Sequence, residues 1–245
     1  MSLVEEFDKR GNWFFKHRSY LPVVLYPLAT LILILEFKQD VKLPELSWSI
    51  ICLAISLLGL LIRILVIGFT PKGTSGRNTA KQVAETVNTK GIYSVVRHPL
   101  YLGNFLMWLG IILYVNNIWF AVSTILLFWL YYERIMFAEE QFLKGKFGEQ
   151  YQKWSMTAPP FFPKLKGWQK PDLEFSLKNV LKREYNGLFA LGISFAYLNV
   201  LKNYLATEQF MITDFWLYTL IITFLIFIIL RTLKKTTRVL HVDGR

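Results

Sequence analysis

A chain of 245 residues with a single cysteine, Cys52, has no intramolecular disulfide, no thiolate zinc cluster and no C-terminal prenylation box. Its three histidines, His17, His98 and His241, are too scattered to suggest a metal centre, so none is expected. Internal repeats, low-complexity tracts and Gly/Ser linkers are missing too, which argues for one domain with a peripheral C-terminal addition. The first twenty residues are charged, and the first apolar run has no small-residue cleavage site behind it, so insertion without processing is expected. A Gly-rich strand-turn-helix nucleotide motif is lacking, and any nucleotide-like ligand has to be held by another architecture.

Charge is scarce as well. Charged residues make up 18% of the chain against 53% hydrophobic and 16% aromatic, more apolar surface than a soluble domain of this size can bury. A bilayer core about 30 Å thick takes roughly 17–25 helical residues per crossing. Six apolar runs are candidates: 21–37, 46–69, 100–115, 118–132, 187–205 and 211–230. The expected fold class is all-α, a polytopic membrane protein with about six transmembrane helices and cytoplasmic amphipathic helices. The third and fourth runs are short enough to require tilt, local thinning or flanking residues.

The net charge of +11 follows the loops, not a nucleic-acid-binding face. Segments 1–20, 70–98, 133–186 and 231–245 hold 24 of the 28 Lys and Arg. The intervening connections 38–45, 116–117 and 202–210 hold only Lys38, Lys42 and Lys202. By the positive-inside bias both termini face the cytoplasm. A bacterial inner membrane suits such a chain, as does the endoplasmic reticulum if it is eukaryotic; the oligomeric state is left open.

The ionisable groups that are present gather where spans meet cytoplasm. Pro99 disfavours helix at the residue before it and suits a first turn, so it opens the third span with Arg97 and His98 just outside. Free N–H groups at that helix start, with Arg97 beside them, suit a carboxylate or phosphate. Gly103 and Gly110, seven apart, lie on nearly one helical face and permit close packing. The loop 70–90 admits a short helix over Thr79–Asn88. Met136, Leu143, Phe147, Tyr151 and Trp154 recur at helical intervals, so a cytoplasmic amphipathic helix or helix pair follows the fourth span. Residues 173–186 form a second such stretch, expected to lie in the interface. Arg63, inside the second run but near its cytoplasmic end, is a weaker site candidate within snorkelling reach of headgroups.

One combination is specific. Gly91-Ile-Tyr-Ser-Val-Val-Arg97-His98-Pro99-Leu-Tyr101-Leu-Gly103 is followed by a helical hairpin, then Arg134, Glu139-Glu140, Leu143, Phe147-Gly148-Glu149, Tyr151 and a closing Phe161-Phe162-Pro163. This resembles the isoprenylcysteine carboxyl methyltransferase and phospholipid methyltransferase family, strongly over 91–163 and more weakly through 46–90. The resemblance implies a membrane-embedded enzyme that binds S-adenosylmethionine from the cytoplasm and takes a lipophilic acceptor, a lipid or prenylated compound, from the bilayer. It assigns cofactor contacts to Arg97, His98, Pro99, Tyr101 and Gly103, with Glu140 as an acidic contact. Arg134 and Glu139 match a catalytic pair near the acceptor, and the roles of Glu139 and Glu140 are interchangeable at this point.

The chain is expected to divide into an N-terminal cytoplasmic segment with the first membrane span (1–45), a methyltransferase core (46–165) that carries the resemblance, and an interfacial helix with a C-terminal membrane hairpin (166–245). Membrane sterol-type reductases share the Arg-His-Pro region, but they carry Asn and Glu where this chain has Leu100 and Asn104. A non-enzymatic transporter or scaffold fits less well, since charges collect at one rim rather than at the bilayer midplane.

Overall fold

The computed structural model describes residues 1–37, 44–71, 73 and 82–245. Eight α-helices lie among them: α1 (Leu3–His17), α2 (Leu25–Phe37), α3 (Leu46–Phe69), α4 (Pro99–Val115), α5 (Ile118–Phe147), α6 (Glu149–Ser155), α7 (Leu177–Thr207) and α8 (Asp214–Thr236). No strand occurs among the described residues; one isolated bridge joins Gly91 and Gln169.

Local chemistry sets the helix ends. Ser2 and Glu5 form a reciprocal capping box on α1. Pro99 opens α4 as its sequence position requires, and α4 ends on Asn116 in the left-handed region at φ 63°. Asn117 then caps α5 by accepting from the Phe120 N–H at 2.6 Å. Gly148, at φ +51°, separates α5 from α6. Ser176 caps α7 by accepting from the Asn179 N–H.

Six apolar runs do not become six comparable spans. Four helices, α3, α5, α7 and α8, are long and apolar enough to cross a membrane. A fifth is counted if α1 and the segment Leu21–Glu36 are joined across a 77° bend. The first run is broken because Leu21–Val24, with Pro22 in its first turn, winds as a 3-10 helix and leaves α2 only 13 residues. The third run gives α4, whose 17 residues measure about 25 Å against the roughly 30 Å of a bilayer core.

Four other expectations change. The amphipathic stretch at 173–186 is no separate interfacial helix: α7 starts at Leu177 and runs unbroken for 31 residues. In the same way α5 carries the fourth run straight on to Phe147. The helix expected over Thr79–Asn88 is absent where it can be judged, since 82–88 form bends and coil, while 79–81 lie outside the described residues, as do Lys38 and Lys42. Lys202 belongs to α7 rather than to a connection, and its buried ammonium donates to the Val115 carbonyl at the end of α4, 2.8 Å away.

Tight packing holds α3 against α4. A side chain at Gly59 would meet the Gly103 carbonyl, and one at Gly110 would meet the Cys52 carbonyl, so the two backbones touch. Ser56 adds a hydrogen bond to the Met107 carbonyl at 2.8 Å. The last two helices form a hairpin, with Phe195 stacked on Trp216 at 4.6 Å and Gly192 closed by Thr223. Along its own length α7 also lies on α3 and α4, and this is what carries its charged residues into the interior. At the end of the bundle that bears the basic loops, α1 packs on α5 through Phe7, Phe14 and Phe15.

Candidate functional site

Between Gly91 and His98 one 3-10 turn, Ile92–Ser94, and the bridge at Gly91 satisfy part of the backbone, and Arg97 and His98 borrow partners from the Pro-rich stretch that follows α6. The N–H groups of Arg97 and His98 donate to the carbonyls of Pro159 and Pro160 at 2.8 and 3.1 Å, and Trp154 Nε1 donates to the Tyr93 carbonyl at 3.1 Å. These bonds fix where Arg97 and His98 point. They also consume N–H groups that the sequence reading left free for an anion, so the side chains here, not the bare helix start, define the site.

His98 is 6% exposed and bridges two acids of α5. Its Nε2 stands 2.9 Å from Glu140 Oε1 and its Nδ1 3.5 Å from Glu139 Oε2. Arg97 Nη1 reaches the other oxygen of Glu140 at 3.2 Å. The Tyr101 ring stacks on the imidazole with centroids 5.6 Å apart. Burial by itself would lower the His98 pKa, but the two carboxylates outweigh it and hold the imidazole above its ordinary value. Burial pushes the hydroxyls of Tyr93 and Tyr151 up, so both remain protonated donors at neutral pH. Arg97 Nε and the Tyr151 hydroxyl are shielded from solvent and have no hydrogen-bond partner.

A raised folded-state pKa contributes stability that is fully present below the unfolded value of 6.5 and is lost as pH rises through the folded value. The melting temperature of the wild type is therefore expected to fall over that interval relative to a His98→Asn variant, which has nothing to titrate there. Parallel melting curves between pH 6 and 9 check this, and a constant difference between the two proteins would refute it.

Two cavities meet at this cluster. The first, about 530 Å³, falls in the range of small-molecule sites; Tyr93, Arg97, His98 and Glu139 form one wall, Tyr151 and Trp154 of α6 another. Asn179, Lys182 and Arg183 of α7 and the segment His241–Arg245 complete it. The second, about 270 Å³, shares Tyr93, Arg97, His98, Glu139 and Arg183 with the first and runs inward past Pro99, Tyr101, Asn104 and Tyr132 to Arg63 and Glu184. Glu139 thus faces both.

Of the residues singled out in the sequence, the structure brings together Arg97, His98, Pro99, Tyr101, Glu139 and Glu140. Gly103 lines neither cavity and serves the α3 contact, where it touches the Arg63 side chain. Arg134 also stands apart. Its guanidinium lies 3.5 Å from the Phe7 ring centroid and pairs with Glu133, on the α1 side of α5. Glu139 lies five positions on along the same helix, an angle of about 140°, so the two point to different sides of α5. Arg63 does not snorkel outward; it turns to Glu184. The residues the sequence reading missed, Arg18, Asn104, Arg183 and Glu184, carry no local signal beyond being polar within or beside apolar runs.

The model of a phospholipid methyltransferase family matches residues 48–150. Protein-S-isoprenylcysteine O-methyltransferase B of Arabidopsis thaliana is 31% identical over 152 residues, 56% of this chain and 73% of the relative. Protein-S-isoprenylcysteine O-methyltransferase of Schizosaccharomyces pombe is 32% identical over 75 residues, 31% of this chain and 32% of the relative. The nickel-cobalt-cadmium resistance protein NccN of Alcaligenes xylosoxydans xylosoxydans is 34% identical over 91 residues, 37% of this chain and 40% of the relative. The chain thus spans about a third of the Schizosaccharomyces pombe protein's length, and the matched family region stops before α6 ends, leaving α7 and α8 outside. No solved structure matches the chain.

Proposed function

The chain belongs to the isoprenylcysteine carboxyl methyltransferase and phospholipid methyltransferase family, and on that premise we propose that it transfers a methyl group from S-adenosylmethionine to a lipophilic acceptor at the cytoplasmic face of its membrane. The observation that carries the reading is the junction of the two cavities at His98 and Glu139: one ligand-sized chamber toward the basic loops, and a smaller one leading between the helices.

The residues of the first cavity fit the donor. S-adenosylmethionine presents a carboxylate, an ammonium, a sulfonium and an adenine. Arg97 Nε and the Tyr151 hydroxyl are donors without partners, Glu139 is an acid in the wall, and Tyr93 and Trp154 offer ring surface; Glu140, outside the wall, is held by Arg97 and His98. When bound, the cofactor supplies an already activated methyl group, so the protein's part is placement and exclusion of water. Arg97 and His98 hold Glu140 in place, Tyr101 braces the imidazole, and Pro99 starts α4 so that both residues before it face the chamber. Glu139, at the junction, takes up a proton if the acceptor is an amine; a carboxylate or phosphate acceptor requires none. Arg134, directed toward α1, has no part in this scheme, and Gly103 acts only through packing.

Both termini lie on the cytoplasmic side in this reading, since described residues of all four segments rich in Lys and Arg line the first cavity. The test is calorimetric titration of the detergent-solubilised protein with S-adenosylhomocysteine, followed by transfer of tritiated methyl from the donor into a total lipid extract. Micromolar binding and label in the organic phase are expected. Binding of NADPH in place of S-adenosylhomocysteine would overturn the reading in favour of a reductase.

A further inference from the structure

Arg63 lies inside α3, six residues from its end at Phe69, where an unpaired guanidinium would be costly. Its donors are answered from two other helices. Nε and Nη2 donate to the two oxygens of Glu184 at 2.7 and 2.8 Å, and Nη1 donates to Asn104 Oδ1 at 2.6 Å. An arginine donates and never accepts, so it dictates how the Asn104 amide is turned. The oxygen must face Arg63. The amide nitrogen then faces Tyr132 and donates to its hydroxyl oxygen at 3.1 Å. That oxygen is already accepting, so its own proton has to be given elsewhere. Tyr132 is 3% exposed and lines the second cavity, and no described side chain accepts its proton.

We propose that Glu184, Arg63, Asn104 and Tyr132 form a relay that reads the acceptor's headgroup: the Tyr132 hydroxyl donates to an oxygen of a carboxylate or phosphate head, Arg63 sets the direction of the bonds, and Glu184 is the positioning residue that holds Arg63 on Asn104. The inference rests on the methyltransferase reading and adds the headgroup class to it. A head that can only donate, such as an alkylammonium, meets a donor at Tyr132 and is disfavoured, whereas an oxyanion receives a charge-assisted bond in a water-poor site. It also gives the C-terminal hairpin a role, because Glu184 lies on α7, beyond the residues matched by the family.

The experiment uses the full chain in a neutral maltoside detergent with saturating S-adenosylhomocysteine and four probes: dodecyl phosphate, dodecanoate, dodecylamine and inorganic phosphate. Thermal shift against probe concentration is expected to show the two oxyanion amphiphiles binding at least about tenfold more tightly than dodecylamine, with inorganic phosphate far weaker than its dodecyl ester. Tyr132→Phe and Glu184→Gln are each expected to reduce that preference to within about twofold while the S-adenosylhomocysteine affinity of the same variants stays within about twofold of wild type. A merely structural role for Glu184 would lower all affinities together, so such a parallel loss overturns the proposal. Dodecylamine binding as well as dodecanoate overturns it, as does an unchanged preference in Tyr132→Phe. Inorganic phosphate binding as tightly as dodecyl phosphate overturns a lipid source for the head. Failure of the wild type to bind S-adenosylhomocysteine, with probe preference intact, instead removes the methyltransferase reading, and the ligand of this cavity is then no methyl acceptor.

Discussion

His98→Ala is expected to weaken S-adenosylhomocysteine binding by about a hundredfold or more. The imidazole is enclosed, and the two carboxylates it joins are 31% and 24% exposed. Without it, Glu139 loses the imidazole and is left with the Tyr101 hydroxyl and the charge of Arg18, while Glu140 keeps Arg97, at 3.2 Å. Breaking a buried charge pair by removing one member typically costs about 3–5 kcal/mol, because the other member is left uncompensated. Of the abandoned acids, Glu139 faces the chamber itself and Glu140 stands next to it on α5. One of them regains a proton or turns away, and with it moves the group placed to hold the ligand's ammonium. A drop of two decades corresponds to about 2.7 kcal/mol, within reach of that penalty. Titration calorimetry on wild type and variant at one pH decides the matter. An affinity within threefold of wild type would mean that the bridge is scaffolding and that the cofactor lies elsewhere.

What could be read from the chain divides by range. Pro99 and the residues before it reveal themselves locally, since a proline limits both its own φ and its neighbour's conformation, and the structure places Arg97 and His98 outside the first turn as that rule requires. The paired glycines 103 and 110 announce a close approach by spacing alone, although not that Gly59 and Cys52 of α3 are what they approach. Glu184 was illegible for a different reason. Periodicity in 173–186 reports a polar face but not what that face meets, and anionic lipid is the default guess for a basic one. Its partner Arg63 is 121 residues away in sequence, a separation at which only the packing of α7 on α3 brings the charges together. The third run could not be promoted to a full span either, because Pro99 and Asn116 stop α4 at 17 residues whatever its hydropathy. The place of Arg134 is legible from the helix alone: an offset of five from Glu139 puts it on a different face.

Gly59→Val is expected to cost the fold several kcal/mol and to remove acceptor recognition with it. A Cβ at this position would lie 2.4 Å from the Gly103 carbonyl oxygen and 2.6 Å from the Met107 nitrogen, and both obstacles are backbone. Overpacking a core typically costs about 1–3 kcal/mol when side chains can yield; here α3 and α4 have to move apart as units. Arg63 stands one turn beyond Gly59 on α3, and its bond to Asn104 crosses this same contact, so separation of the helices breaks the polar chain at its second link. Gly145 supplies the control. It lies in α5 with nothing within 4 Å of its would-be side chain, so Gly145→Ala is expected to stabilise the protein by about 0.5–1 kcal/mol through helix propensity alone. Melting curves of both variants in the same detergent test the pair. If Gly59→Val melts near wild type and still discriminates dodecyl phosphate from dodecylamine, then the α3–α4 contact yields more easily than two backbones at this distance should, and the position of Arg63 does not depend on it.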